Sequence, residues 1–178
     1  ATVTLLDADE ITPNRASRAS FAWMNARDKN PRAYHDLNRR SLDIWPRFAA
    51  RLEADIKLEW GGDIRWSTTQ SSAAESEARV KVLQSWGYSE RSIDRAEAER
   101  LAPGVSFEGF VSGSYSEIDG HVDALRTVNA LIDRGRDRGM TCRFGESVVG
   151  LQVEKGVQAV QTDADEYRCD VCVVAAGA

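Results

Sequence analysis

"VTLLD", residues 3–7, is an apolar run that closes in an acid, and its reading decides the fold. Thr2 to Leu6 are β-branched or aliphatic with no polar lead-in, which predicts a buried strand rather than one face of an amphipathic helix. An acid at the carboxyl end of such a strand has two meanings. It is a solvated strand terminus, or it is the acceptor that holds the ribose hydroxyls of a dinucleotide beyond the end of a parallel sheet. Asp7 stands at that position, and the rest of the chain must choose between the two.

The far end, "DVCVVAAGA" at 170–178, predicts another strand, within 166–175, whose last residues are all small. Small residues there let a bulky ligand approach the backbone, and they equally suit a tight strand-to-turn transition. Residues 8–20 are polar, carry Pro13 and Asn14, and read as loop. Inside that region "SRASFAWMNA", residues 17–26, sets small and hydroxyl residues around Arg18 and then brings Phe21, Trp23 and Met24 together.

Between these ends, Tyr34, Leu37, Ser41, Ile44, Trp45, Phe48 and Leu52 recur at helical spacing and predict a helix from Ala33 to Asp55. A turn at Trp60–Gly62 leads to a strand over Asp63–Thr68, then to short helices over 73–86 and 92–101, the second stopped by Pro103 and Gly104. "GFVSGSYSEIDG", residues 109–120, predicts strands with turns. Leu125, Val128, Leu131 and Ile132 predict a helix over Val122–Arg138, ended by Gly139. Short β segments follow near 140–144, 147–153 and 157–162. Strands alternating with helices, interrupted by an antiparallel stretch, place the chain in the α/β class.

Composition narrows the function. The 178 residues are 42% hydrophobic and 29% charged, with a net charge of −5 and both signs mixed along the chain. No basic stripe offers a nucleic-acid footprint, and no apolar run reaches bilayer-spanning length. Cys142, Cys169 and Cys172 are odd in number and form no disulfide framework. Cys169 and Cys172 stand three apart in an expected strand, where their sulfurs face opposite sides, so no metal site is expected there. A reduced, cytoplasmic protein fits this usage.

Taken together, "VTLLDADE", "ASRASFAWMNA", "GHVDALRTVNALIDRGRDRGM" and "ESVVGLQVEKGVQAVQTDADEYRCDVCVVAAGA" resemble the D-amino-acid oxidase-like family of FAD-dependent oxidoreductases, the group of glycine oxidase and sarcosine oxidase. The order and spacing match along nearly the whole chain. The resemblance implies an FAD/NAD(P)-binding Rossmann-like sheet with an inserted antiparallel strand and helix region. It implies a partial FAD-binding region at 1–57, an inserted substrate-domain segment at 58–120, and a return to the FAD-binding region at 121–178.

The cofactor implied is FAD. Asp7, followed by Ala8, corresponds to the acid that holds the ribose. The Ala16–Ala22 loop corresponds to the segment that wraps the pyrophosphate and passes under the flavin. Hydroxyls of Ser17 and Ser20 with Arg18 suit two phosphates, by charge-assisted hydrogen bonds. The small Ala16 and Ala22 allow close approach, and Phe21 and Trp23 can shield the flavin from water. Val148 corresponds to a residue that meets the adenine edge through its backbone, and Ala176 and Gly177 to a segment approaching the pyrophosphate. His121 and Asp123 read as helix caps, and Ala124 replaces a proline usual in the family. No catalytic residue is identified.

The resemblance implies oxidation of an amino acid or secondary amine at its C–N bond, with hydride transfer to flavin. A non-catalytic module of the same fold, truncated or completed by a partner chain, is the alternative. An NAD-dependent dehydrogenase shares Asp7 but has no use for the serine-rich loop. The family's first strand, with its glycine-rich turn, would lie before Ala1, and its second half after Ala178. The expectation is therefore an open place in the sheet beside Thr2–Leu6, filled by a partner chain or by missing segments, and weak FAD binding by these residues alone.

Overall fold

The computed structural model describes residues 1–10, 15–154 and 156–177. Its first half contains β1 (Thr4–Asp7), α1 (Arg15–Arg18), β2 (Trp23–Met24), α2 (Arg32–Leu52), β3 (Asp63–Ser67), α3 (Gln70–Ser85), β4 (Glu90–Ile93) and α4 (Arg95–Leu101). The second half contains β5 (Ser112–Ser116), β6 (Gly120–His121), α5 (Ala124–Asp137), β7 (Thr141–Phe144), β8 (Val148–Val153), β9 (Val157–Thr162) and β10 (Glu166–Arg168). The chain divides into two compact units, one formed by residues 1–19 and 125–178 and the other by 20–124.

In the first unit β1 runs parallel to β7, with Thr4 opposite Thr141 and Asp7 opposite Phe144. Parallel neighbours need a crossover helix, and α5 is the helix that enters β7. Gly139, at φ 87°, ends that approach in a conformation glycine adopts without strain. Gly135 lets α5 and the following chain close up, because a Cβ there would sit 2.4 Å from Met140 Cε. After β7 the chain makes an antiparallel meander in the order β10-β9-β8, with Ala159 and Val160 buried. The β8–β9 ladder shifts register twice, between Val148 and Gly150 and between Gln152 and Val153.

The second unit is built on the antiparallel sheet β3-β5-β4, against which α3 packs. Ile93, Ala98 and Phe107 form a buried cluster, joined by Ile64, Leu101, Ala102, Phe110 and Tyr115. Gly62 admits the Tyr115 ring, whose Cε2 would lie 2.4 Å from a Cβ at that position. A separate two-stranded ladder pairs Trp23 with His121 and Met24 with Gly120.

The α/β class with an antiparallel insertion is what the sequence predicts. Several local expectations change. The stretch 8–20 is not all loop, since Arg15–Arg18 is helical; Pro13 and Asn14 lie outside the described residues. Residues 92 and 93 belong to strand β4 rather than to a helix, because β5 supplies a ladder there and Asp94 caps the helix that follows. The expected strand to 175 stops at Arg168. Residues 171–177 lie in no ladder, and Val171, Val173 and Val174 are exposed, because a strand needs a neighbour to pair its backbone. β1 is half-buried rather than buried, with β7 as its one ladder neighbour among the described residues. On α2 the predicted apolar stripe is largely open to solvent at Tyr34, Leu37 and Ile44; the buried positions are His35, Leu42 and Leu52.

Candidate functional site

In the first unit the end of β1 is knitted to the turn after β7. The Asp7 carbonyl accepts from the Glu146 N–H at 3.1 Å, and the Asp9 carbonyl accepts from the Gly145 N–H at 3.1 Å. Asp7 Oδ1 also accepts from the Asp9 N–H at 3.0 Å, which orients the half-buried carboxylate at the strand terminus. Gly145 takes φ 73°, and a Cβ there would come 3.2 Å from Glu10 Cγ. The buried Glu146 carboxylate accepts from Thr162 Oγ1 at 2.6 Å and from the Tyr167 hydroxyl at 2.9 Å. Val148 opens β8 two residues later. Backbone bonding therefore brings Asp7 beside the turn that leads into Val148.

The other expected residues of this unit are accessible. Ala8, Ala16 and Arg18 are exposed and Ser17 is half-buried, the last three on α1. Ala176 and Gly177 are exposed, and Gly177 has φ 87° with no heavy atom within 4 Å of a Cβ there. Among the described residues no ladder or backbone hydrogen bond ties 171–177 to Asp7. An acceptor-only carboxylate at a strand end, a hydroxyl with a cation on α1, and small accessible residues are the donor and acceptor set a dinucleotide needs. These residues fit FAD.

In the second unit the segment Ser20–Met24 is folded tightly. Ser20 Oγ accepts from the Ala22 N–H at 2.9 Å, so its oxygen closes a local turn while its hydroxyl hydrogen stays available to an acceptor. Ala22 lies at φ 52°, and its carbonyl accepts from the Val122 N–H at 3.3 Å. Phe21 is 77% exposed, with its ring stacked on His121 at 6.3 Å between centroids. Trp23 is half-buried under the Arg65 guanidinium, 5.2 Å from its ring, and its Nε1 is buried without an acceptor among the described residues. His121 is not a helix cap. It lies in β6, where its backbone exchanges hydrogen bonds with Glu59 at 2.9 and 3.0 Å.

Behind that segment lies a polar cluster that sequence reasoning missed. Arg27 is 1% exposed. Its Nε donates to Glu90 Oε2 at 2.5 Å, its Nη2 donates to Glu90 Oε1 and to Ser114 Oγ, and its Nη1 donates to Asp63. Burial works against the Arg27 charge, but the hydrogen bond and charge of Glu90, followed by Asp63 and Asp119, hold its pKa above the ordinary value. Burial raises the Asp63 carboxyl, and the nearby Glu90 charge adds to this, against the lowering pull of the Arg27 and Arg65 guanidinium groups.

Next to it, the buried Asp119 accepts from Tyr88 and, at 2.8 Å, from Ser116, both on Oδ1; its Oδ2 has no partner among the described residues. Burial pushes the Asp119 carboxyl and the Tyr88 phenol above their usual ranges. The Tyr88 oxygen accepts from the Ala26 N–H at 3.0 Å, and His35 Nδ1 donates to the Ala26 carbonyl at 2.7 Å. In the sequence Arg27 stands in "ARDK", which reads as solvated charge, and its partners stand far off at positions 63, 90 and 114. Nothing in local patterning joins them.

The family model described as FAD dependent oxidoreductase, DAO, matches residues 1–178. A D-amino acid dehydrogenase of Rhizobium johnstonii is 27% identical over 135 residues, covering 70% of this chain and 32% of the relative. One from Rhizobium rhizogenes is 29% identical over 119 residues, covering 65% and 29%. The chain thus spans about a third of the length of these curated relatives. Among solved structures, glycine oxidase from Geobacillus kaustophilus superposes with a TM-score of 0.89 at 20% identity, covering 99% of this chain and 49% of that one. Glycine oxidase from Bacillus cereus gives a TM-score of 0.85 at 22% identity, with coverages of 95% and 47%. At these identities the likeness establishes the fold.

Proposed function

The chain belongs to the DAO family of FAD-dependent oxidoreductases, and from that premise we propose that it forms part of an enzyme that oxidises an amino acid or a secondary amine. The curated relatives named D-amino acid dehydrogenases support an amino-acid substrate, with a CH–NH or CH–NH2 donor. The observation that carries the reading is Asp7, an oriented carboxylate at the carboxyl end of a parallel strand, bonded to the turn that leads into Val148.

In this reading Asp7, Ala8, Ala16, Ser17, Arg18, Ser20, Phe21, Ala22, Val148, Ala176 and Gly177 contact FAD. Regions 1–57 and 121–178 serve the cofactor, and 58–120 belongs to the substrate side. Bound FAD would accept the hydride, and with it the two electrons, that leaves the carbon of the C–N bond. Asp7 accepts hydrogen bonds from the ribose hydroxyls, and Arg18 with Ser17 and Ser20 neutralises and binds the phosphates. Phe21 covers apolar ring surface and keeps water from it.

Titration with FAD, followed by flavin fluorescence, tests the reading. Asp7→Ala is expected to weaken binding by about 1–3 kcal/mol through lost hydrogen bonds to a charged acceptor. In the full-length protein, FAD affinity that Asp7→Ala leaves unchanged overturns it.

A further inference from the structure

We propose that Arg27 is a positioning residue for the cofactor: its buried guanidinium clamps the Ser20–Met24 segment onto the β3-β5-β4 sheet and so sets where Ser20, Phe21 and Ala22 face the flavin. The proposal rests on the cofactor reading of Ser20–Ala22 given above. Its physical ground lies wholly within residues 20–124, one compact unit.

One side chain meets all three strands of the sheet: Asp63 on β3, Glu90 on β4 and Ser114 on β5. A buried ion pair adds little net stability over apolar residues of the same volume, because desolvation offsets the attraction. What it adds is direction. The planar fork on Glu90 admits one orientation, and the remaining nitrogen fixes a second axis through Asp63. The guanidinium is therefore better suited to holding its backbone in one place than to holding the sheet together, which the β3–β5 and β4–β5 ladders already do.

The backbone it holds is pinned at both polar groups of the preceding residue. The Ala26 N–H goes to the Tyr88 oxygen and the Ala26 carbonyl receives His35 Nδ1. Tyr88 in turn donates to Asp119, which immediately precedes the β6 strand paired with Trp23 and Met24. The segment is thus held at 22–24 by β6 and at 26–27 by the buried cluster, and both holds meet at Tyr88. Phe21 projects at 77% exposure from a stretch held by backbone bonds at 22–24 and, at Arg27, by buried charge-assisted bonds. A surface loop that merely connects two elements has no need of such an anchor.

The test uses Arg27→Lys, which keeps the charge and loses the fork, in the flavin-loaded protein and in the flavin-free protein. Amide hydrogen exchange at residues 21–24 is expected to rise about tenfold without flavin, with α3 unchanged. The FAD dissociation constant is expected to rise about fivefold or more, with altered shape of the visible flavin bands. Unchanged exchange at 21–24 overturns the anchor. Faster exchange with unchanged FAD affinity and spectrum overturns the link to the cofactor, and does so whether or not Asp7→Ala behaves as expected. Should Arg27→Lys fail to fold, Ser114→Ala removes one bond to the same nitrogen and decides the matter by the same readouts, with smaller shifts in the same direction.

Discussion

Asp119 carries a consequence for acid–base behaviour that follows from its setting alone. Burial holds its carboxyl above the ordinary carboxylate range, with neutral donors on one oxygen and, among the described residues, none on the other. Unfolded, it ionises near about pH 3.9. Between that pH and its folded pKa the unfolded chain has lost a proton that the native state keeps, so this group's contribution to stability falls as pH rises. Asp119→Asn has no such proton. Relative to the parent, the variant is expected to gain stability as pH rises from about 4, levelling off above the folded pKa. Urea denaturation at stepped pH checks this, and a stability difference flat from about pH 4 to 7 refutes it. None of this was legible in the sequence. Asp7 was, because one strand-ending acid is a local pattern. Asp119, Tyr88 and Arg27 were not, because their meaning depends on which distant groups share their burial.

Helices were readable in outline, but α3, expected over 73–86, starts earlier, at Gln70. Thr69 accepts from the Ser72 N–H at 3.2 Å, and the Ser72 hydroxyl lies 3.4 Å from the Thr69 N–H, closing a capping box at the start of α3. Thr69→Ala is expected to cost about 1 kcal/mol, seen as a lowered urea midpoint with an unchanged slope. A midpoint equal to the parent's would show that tertiary packing alone fixes this end. The helix expected over 92–101 lost its first residues to β4 for a reason also written locally. Asp94 accepts from the Glu97 N–H at 2.8 Å, and an Asp three residues before a Glu marks a helix start at 95. The segment at 171–177 shows the opposite limit. Its composition favours a strand, yet a strand is a relation between neighbours, and composition cannot say whether one is present.

For the molecule as a whole, the proposed cofactor is also a stabiliser. FAD at about a hundred times its dissociation constant is expected to add about 2.7 kcal/mol, raising the thermal midpoint with log concentration. A midpoint indifferent to FAD counts against binding to the native state. The two compact units should also be separable, with native-state hydrogen exchange resolving groups of amides that change at about residues 19–20 and 124–125. The twice-shifted β8 ladder has a further effect, on how copies of the protein meet each other. β8 is the outer strand of its sheet and exposes Val148, Val149, Leu151 and Val153. A straight strand of that composition is a template for fibril growth, since its free N–H and C=O groups would accept another chain. Each irregularity bends the strand and breaks the row of free groups into lengths too short to recruit a second copy. Deleting Gly150 would remove the first of the two breaks, and the cost would appear as shelf life: thioflavin-positive aggregates in a protein whose melting curve had barely moved.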